Sequence, residues 1–267
     1  MIIAQLSDPH ISRPDTEFEA LYKTADKLKS AINTINRLKY KPAAVVISGD
    51  LINCGEKEEY DQLKPLLSAL DMPCYLGIGN HDCRETFREC FSHFDYVPKT
   101  GFIQYAIDQD DFRMVMLDTN IPGKPQGLLC SDRLDWLDKT LSEKPKTPTI
   151  LFMHHPPFMT GITAMDHMGL LEAENFGKIV QKHDQVIRIF CGHLHRSIQS
   201  DFQGKITQVC PSTSHRVMLT LEGDERLATT SEPPELLLHV WEKDKLVTHS
   251  AATQDFKILW ELEGDLY

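Results

Sequence analysis

Short β-branched runs that each break off into a glycine, an acid or a histidine recur through the first two hundred residues. No other feature constrains the fold of this chain as strongly. Residues 2–7, 43–48, 73–78, 113–117, 149–153 and 186–191 are apolar, bounded by turn formers, and read as buried strands. Helical patterns lie between most of them. The clearest covers residues 17–38, where Phe18, Leu21, Ala25, Leu28, Ile32 and Ile35 fall on one helical face and Thr16 with Glu19 offers a capping box. Residues 56–70, 84–94, 131–141 and 170–183 follow suit, and Pro65 is expected to kink or split the first of these. Such alternation predicts an α/β protein with right-handed crossovers and largely parallel sheet.

After Cys191 the rhythm changes. Residues 196–202, 205–209, 235–241 and 245–249 are strand-like with no helix between them, which predicts antiparallel hairpins forming part of a two-sheet sandwich. A turn at Lys243-Asp244-Lys245 suits the last pair. Residues 212–234, with Gly223, Asp224, Pro233 and Pro234, read as an inserted loop or cap. The expected organisation is a core over residues 1–212, a cap or oligomerisation insert over 213–234, and strands returning to the second sheet plus a tail over 235–267.

Composition narrows the function classes. At 41% apolar and 25% charged, the 267-residue chain is neither disordered, collagen-like nor membrane-spanning. Its net charge of −11, from 28 basic and 39 acidic residues, makes it a poor non-specific binder of nucleic acid. No apolar stretch approaches the roughly 18 residues needed to cross a bilayer. Asp8 interrupts the apolar start, which has no basic n-region and does not resemble a signal peptide. The seven cysteines are scattered and form no C-x-x-C, so reduced thiols and a cytoplasmic location are expected.

Nearly every strand of the first part ends in metal-ligand chemistry: Asp8-Pro9-His10, Gly49-Asp50, Gly79-Asn80-His81-Asp82, His154-His155 and Gly192-His193-Leu194-His195. In a parallel sheet these carboxyl ends lie along one edge, where α/β proteins build their sites. Asp8 and His10 are two residues apart, as are His193 and His195, so in extended backbone each pair points to one side. One member can then reach a cation while the other reaches its neighbour. Glycine before each ligand group lets the chain leave its strand sharply. Asp50, with two oxygens on a short side chain, suits a bridge. Imidazole nitrogen mixed with amide and carboxylate oxygen, without thiolate, suits Mn, Fe, Co or Zn better than Ca.

This ordered set resembles the calcineurin-like metallophosphoesterases over about the first two hundred residues. The stretch Gly49-Asp50-Leu51-Ile52-Asn53-Cys54-Gly55 with Glu59-Tyr60 is similar to the branch holding class III cyclic-nucleotide phosphodiesterases and related glycerophosphodiesterases. The resemblance implies a four-layer α/β/β/α sandwich, with two mixed sheets flanked by helices and a small cap. It also implies two transition-metal ions: Asp8, His10 and His195 hold one, Asn80, His154 and His193 the other, and Asp50 is shared. A water ionised by the metals then attacks a small phosphodiester, such as a 3′,5′-cyclic nucleotide or a glycerophosphodiester. His81 matches the histidine that faces the scissile phosphate. Pro9 stands where Thr is common, which puts only loop geometry in question. Relatives of this kind often dimerise through a cap, so a homodimer or larger assembly is expected. The tail residues Ile258, Leu259, Trp260 and Leu262 either join that interface or cover their own sheet.

Other residues carry blander readings. His155 alternates away from His154 and suits a supporting role. Asp82 suits a cap for the helix after it. His93, His167, His183, His239 and His249 read as surface or packing residues. His215, on a loop after Ser214, and Asn53 are candidates for touching substrate. Asn53 and Cys54 equally suit a polar turn with a buried thiol, and Phe158, Met159 and Met165 suit either a pocket wall or core. A nuclease or a phosphomonoesterase shares these motifs, and a metal-free scaffold could share the fold. The acidic charge disfavours the nuclease. Asp82 and Cys54-Gly55 depart from the phosphoprotein phosphatase pattern, and the intact ligand set disfavours the scaffold.

Overall fold

A computed structural model describes residues 1–221, 223, 225–257 and 259–260. In chain order its elements begin with β1 (Ile2–Leu6), α1 (Glu17–Tyr22), α2 (Thr24–Arg37), β2 (Ala44–Ser48), α3 (Lys57–Leu67), β3 (Cys74–Gly77) and α4 (Arg84–Phe91). There follow β4 (Tyr105–Asp108), β5 (Arg113–Met116), β6 (Gly127–Leu128), α5 (Ser131–Glu143), β7 (Thr149–Phe152), α6 (Thr163–Asp166), β8 (Leu170–Leu171), α7 (Ala173–Lys182) and β9 (Val186–Cys191). The rest is strand: β10 (Ile198–Phe202), β11 (Lys205–Val209), β12 (Arg216–Val217), β13 (Thr229–Thr230), β14 (Glu235–Glu242) and β15 (Lys245–Ala252).

Two sheets dominate. The first has the order β15-β14-β1-β2-β3 and the second β10-β11-β9-β7-β5-β4. Their central strands are parallel, and antiparallel strands stand at their margins. Side-chain alternation explains the layering. From the first sheet, Ala4, Leu6, Val45, Ile47 and Leu76 pack on α2, α3 and α4 through Leu28, Ile32, Leu63 and Phe87. The residues between them, Ile3, Ala44 and Val46, face Met114, Met116, Ile150, Phe152 and Phe190 of the second sheet. That sheet turns Val115, Leu151 and Ile189 outward onto Leu137 and Leu141 of α5 and Phe176 and Val180 of α7. Four layers result, α/β/β/α, as the sequence predicts.

Several expectations are corrected. The single helix over residues 17–38 is two helices, because Lys23 adopts a left-handed conformation with φ 52°. Thr16 caps α1 by accepting from the Glu19 N–H, but the Glu19 carboxylate does not return to it. It turns forward, accepts from the Thr24 and Ala25 N–H groups, and caps α2 instead. The break rotates α1 off the core, so Leu21 is 71% exposed rather than buried. Pro65 neither splits nor ends α3 at once; it falls near the end, where its missing N–H forfeits one bond of the final turn. Residues 170–183 are not one helix, since β8 precedes α7 across the left-handed Glu172.

The two late hairpins go to different sheets. The β10–β11 hairpin extends the second sheet beside β9, whereas β14 pairs with β1, so residues 235–252 return to the first sheet and not to the second. The free side of β1 is what receives it. Leu236 joins the core beneath the helices, and Trp241 joins the inter-sheet core. Ile258 and Leu262 of the tail lie outside the described residues, as does Asp224. Leu259 and Trp260 are exposed and cover no sheet.

Removing the forward cap in Glu19→Ala should cost about 1 kcal/mol and lower the melting temperature by about 2–4 °C. Thermal denaturation followed by circular dichroism checks this, with Glu17→Ala, which caps nothing, expected to melt like the parent.

Candidate metal centre

The ligand-bearing ends do not lie along one edge. Those of β1, β2 and β3 belong to the first sheet and those of β7 and β9 to the second, so the two sets face each other where the sheets meet. The pairs are not extended either. Asp8, His10, Asp50, His193 and His195 all have φ between 46° and 72°. Each such residue costs about 1–3 kcal/mol, and Asp and His tolerate the region better than most types. The left-handed turns aim side chains of one segment at a common point, which a straight strand could not.

Glycine acts in two ways here. Gly49 does have the positive φ (100°) that its sharp exit demands. Gly79 and Gly192 do not. They are small because something sits where a side chain would be: the Asp50 carboxylate at Gly79, and Ser7 Oγ with the Asp8 carboxylate at Gly192.

Around this point the polar atoms converge. Asp50 Oδ2 lies 3.5 Å from His10 Nε2 and 3.3 Å from His154 Nε2, between the two groups of candidate ligands. Its other oxygen accepts from the His81 N–H at 2.9 Å, which fixes the carboxylate's rotation. Asp8 Oδ1 is 3.5 Å from His195 Nε2 and 3.9 Å from His154 Nε2, and the Asp8 carboxylate also accepts from the His193 N–H. Asn80 Oδ1 is 3.2 Å from His154 Nε2. His154 Nδ1–H donates to the Ser48 carbonyl and His195 Nδ1–H to that of His215, which turns both Nε2 atoms inward. His10 Nδ1 and His193 Nε2 are buried with no hydrogen-bond partner.

These groups behave as a site that wants positive charge. Burial works against a charged His154, yet the Asp50 carboxylate holds its pKa up at about 9. Burial pushes Asp8 up to about 7. Burial drives His10 and His195 well down, and His193 down to about 3, so their lone pairs are free. Buried acids, inward imidazole Nε2 atoms and the unpartnered Nε2 of His193 fit two divalent metal ions. Two groups of donors stand close enough to chelate, Asp8, His10, Asp50 and His195 on one side and His154, His155 and His193 on the other.

His155 is the exception in that second group. Its Nδ1 meets Thr119 Oγ1 at 2.7 Å and its Nε2 meets the Pro125 carbonyl at 3.1 Å, so both nitrogens are occupied. It packs beside His193, at 4.5 Å between rings, as a support. Asp82 is not a helix cap; Cys83 takes that position for α4. Its carboxylate accepts from Leu51 N–H, Gly79 N–H and the Tyr60 hydroxyl, tying together the loops after β2 and β3. Asn120 completes that tie by donating to the Gly79 and Asp82 carbonyls. Nothing in the sequence singles it out, because it follows an ordinary strand, β5, with no motif.

The centre opens into a cleft of about 210 Å³. His81 stands on its floor, with Nδ1–H donating to the Asn53 carbonyl at 2.7 Å. Burial lowers its pKa, but the Asp50 carboxylate and that carbonyl outweigh burial and raise it above the usual value. His215 forms a wall, stacked on Tyr22 at 4.4 Å and 4.4 Å from the His195 ring. Phe18, Met165, Met168, Val217 and Leu227 make the rest largely apolar, and no Lys or Arg lines it among the described residues. Met165 thus belongs both to the wall and to the core beneath the second sheet. Met159 is 74% exposed outside it, and Phe158 packs against the core beneath the second sheet.

The sequence matches the family described as calcineurin-like phosphoesterase over residues 1–197. The chain belongs to this family. It is 35% identical to a probable glycerophosphodiester phosphodiesterase of Arcobacter nitrofigilis, over 96% of this chain and 95% of that one. It is 34% identical to a probable cyclic nucleotide phosphodiesterase of Rhodopseudomonas palustris, over 85% of this chain and 84% of the relative. A dimetal phosphatase from Danio rerio superposes with a TM-score of 0.71 at 15% identity, covering 96% and 97% of the two chains, a likeness of fold.

Gly79→Ala places a methyl group against the Asp50 carboxylate and should displace it. The expected result is protein that folds but retains less metal, measured by mass spectrometry of metal content after desalting.

Proposed function

We propose that this calcineurin-like phosphoesterase hydrolyses small phosphodiesters at a dinuclear centre, with Asp8, His10 and His195 holding one ion, Asn80, His154 and His193 the other, and Asp50 shared. The position of Asp50 Oδ2 between His10 and His154 carries this reading. The two metals would supply Lewis acidity on the phosphoryl oxygens and a water acidified enough to attack near neutral pH.

The chain's own groups do the rest. His81, anchored through Nδ1, presents Nε2 to the cleft, where it holds a proton for the departing alkoxide oxygen. Asn53 fixes the imidazole's orientation through its carbonyl, and the His215 ring bounds the leaving group. An apolar wall without Lys or Arg favours a diester, with one negative charge, over a monoester dianion. It also gives nothing to a polyanionic strand, in keeping with the net charge of −11. A cyclic nucleotide and a glycerophosphodiester both meet these conditions, in line with the names of the two relatives. Iron, manganese, zinc and cobalt all suit the donor set.

A cytoplasmic setting is part of this reading, and the thiols support it. All seven cysteines are free, which suits the cytoplasm, and no helix among the described residues is long and apolar enough to cross a membrane. We place a cap over residues 213–234, where Val217, Leu227 and Thr229 close one side of the cleft. Leu219, Leu221 and Leu227 are at least half exposed on it, which favours a homodimer or larger assembly formed through this face.

Asp50→Ala should lower metal-dependent turnover of bis(p-nitrophenyl) phosphate by about a thousandfold, several kcal/mol of charge stabilisation being lost. Parental turnover with a depleted centre rejects the assignment. His81→Ala should keep its metals and slow diesters with alkoxide leaving groups by about 10²–10⁴-fold, sparing p-nitrophenyl esters. Equal slowing of both removes His81 from proton delivery. A panel of cyclic AMP, glycerophosphoethanolamine and a simple monoester separates the substrates. Light scattering should find a particle of at least twice the 30.5 kDa chain mass, and Leu219→Lys with Leu221→Lys should reduce it to a monomer.

A further inference from the structure

Five polar side chains form an unbroken hydrogen-bonded line through the apolar space between the sheets. It begins on the edge strand β15, where Thr248 Oγ1 is 3.0 Å from His239 Nδ1. His239 Nε2 lies 3.1 Å from Gln5 Oε1. Gln5 Nε2 lies 2.8 Å from Ser48 Oγ, which is 2.8 Å from Ser7 Oγ. Ser7 Oγ and the Asp8 carboxylate then lie side by side against Gly192, where Ser7 lowers the carboxyl's pKa as a donor would. Gln5, Ser7, Ser48 and His239 are all buried, and the His239 ring lies on Phe190 at 3.9 Å between centroids. Four neighbouring strands, β15, β14, β1 and β2, supply the line from faces that are otherwise apolar, next to Ile3, Val46 and Trp241.

Chemistry fixes the direction of every link. As a metal ligand Asp8 is an anion that only accepts, so it takes the Ser7 proton. Ser7 Oγ must then accept from Ser48, and Ser48 Oγ from the Gln5 amide. Gln5 cannot be turned the other way round, because its nitrogen also faces the Cys191 carbonyl, an acceptor alone, at 3.4 Å. Its oxygen therefore takes the His239 Nε2–H, and the remaining nitrogen of the neutral imidazole takes the Thr248 hydroxyl. All five links point toward Asp8. Links aligned in one sense polarise one another. Gly192 keeps room for the last link, since a side chain there would strike both Ser7 Oγ and Asp8.

We propose that Gln5 and His239, neither of which touches the cleft, are positioning residues that aim the Asp8 carboxylate at its metal ion through this one-way line. The inference rests on Asp8 being a metal ligand. A core of this shape could be filled by apolar side chains without desolvating five polar groups, so packing alone does not call for the line. What the line adds is a single permitted rotation and a steady donor on the outer side of Asp8. Groups behind a ligand commonly change metal affinity by about 10–100-fold.

Cobalt(II) titration of the full chain, followed by calorimetry and by visible absorption, tests this. The parent should bind in two resolvable steps, and Asp8→Asn should identify the step that belongs to Asp8. Gln5→Met and His239→Phe should then weaken that step by about tenfold or more and alter its absorption band, with the other step within about twofold of the parent. His239→Gln keeps an N–H for Gln5 and should restore most of the loss. Thr248→Val, at the half-buried outer end, should shift the same step in the same direction if the inner variants fail to fold. Parental affinity in folded Gln5→Met and Thr248→Val overturns the inference, as does equal weakening of both steps. A parent that takes up no metal overturns the ligand reading, and this inference with it.

Discussion

Two carboxylates, Asp8 and Asp50, are buried side by side where the sheets meet, and most of the surrounding structure answers that charge. Buried acids without compensation cost far more than a domain's net stability, so cations or protons must stand among them. Inward Nε2 atoms on His10, His154 and His195, and the unpartnered Nε2 of His193, leave places for metal ions. The Asp82–Tyr60–Asn120 tie, the His155 support and the apolar wall all hold that arrangement without offering positive charge of their own.

Much of this was legible in the sequence because metal chemistry needs residue types that are rare together. Five short motifs at strand ends name the candidate donors, the strand and helix periodicities name the α/β architecture, and the family resemblance names four layers. What was not legible is what side-chain identity alone does not encode. Which sheet a strand end joins depends on long-range pairing, so the meeting of two sheets was mistaken for one edge. Left-handed backbone at Asp8, His10, His193 and His195 leaves no mark in composition. The break at Lys23 was hidden by an apolar pattern that runs on through it, and only the forward-turning Glu19 explains it. His239 was read as packing because one histidine in an apolar strand carries no hint of its partners on other strands.

The local strain and the small residues belong to one design. Five left-handed non-glycine residues are costly individually, and they persist because carbonyls and amides of neighbouring loops hold them: Asp8 N–H on Gly49 O, and His10 N–H on Asp50 O. The loops after β1 and β2 are therefore zipped to each other rather than independent. Glycine at 79 and 192 then lets carboxylates approach backbone at distances no other residue would allow. Precision at the donors comes from crowding and not from rigidity of any single loop.

The pairing of β1 with β14 has a consequence for biosynthesis. β1 sits in the middle of its sheet, yet one of its two neighbours is contributed by residues around 240, and the amino group of Met1 itself rests on the Trp241 carbonyl. While the chain is still emerging from the ribosome, that flank of the nascent sheet stays open. A chain stalled before its final hairpin would present the bare apolar edge of a half-finished sheet to whatever chaperone reaches it first.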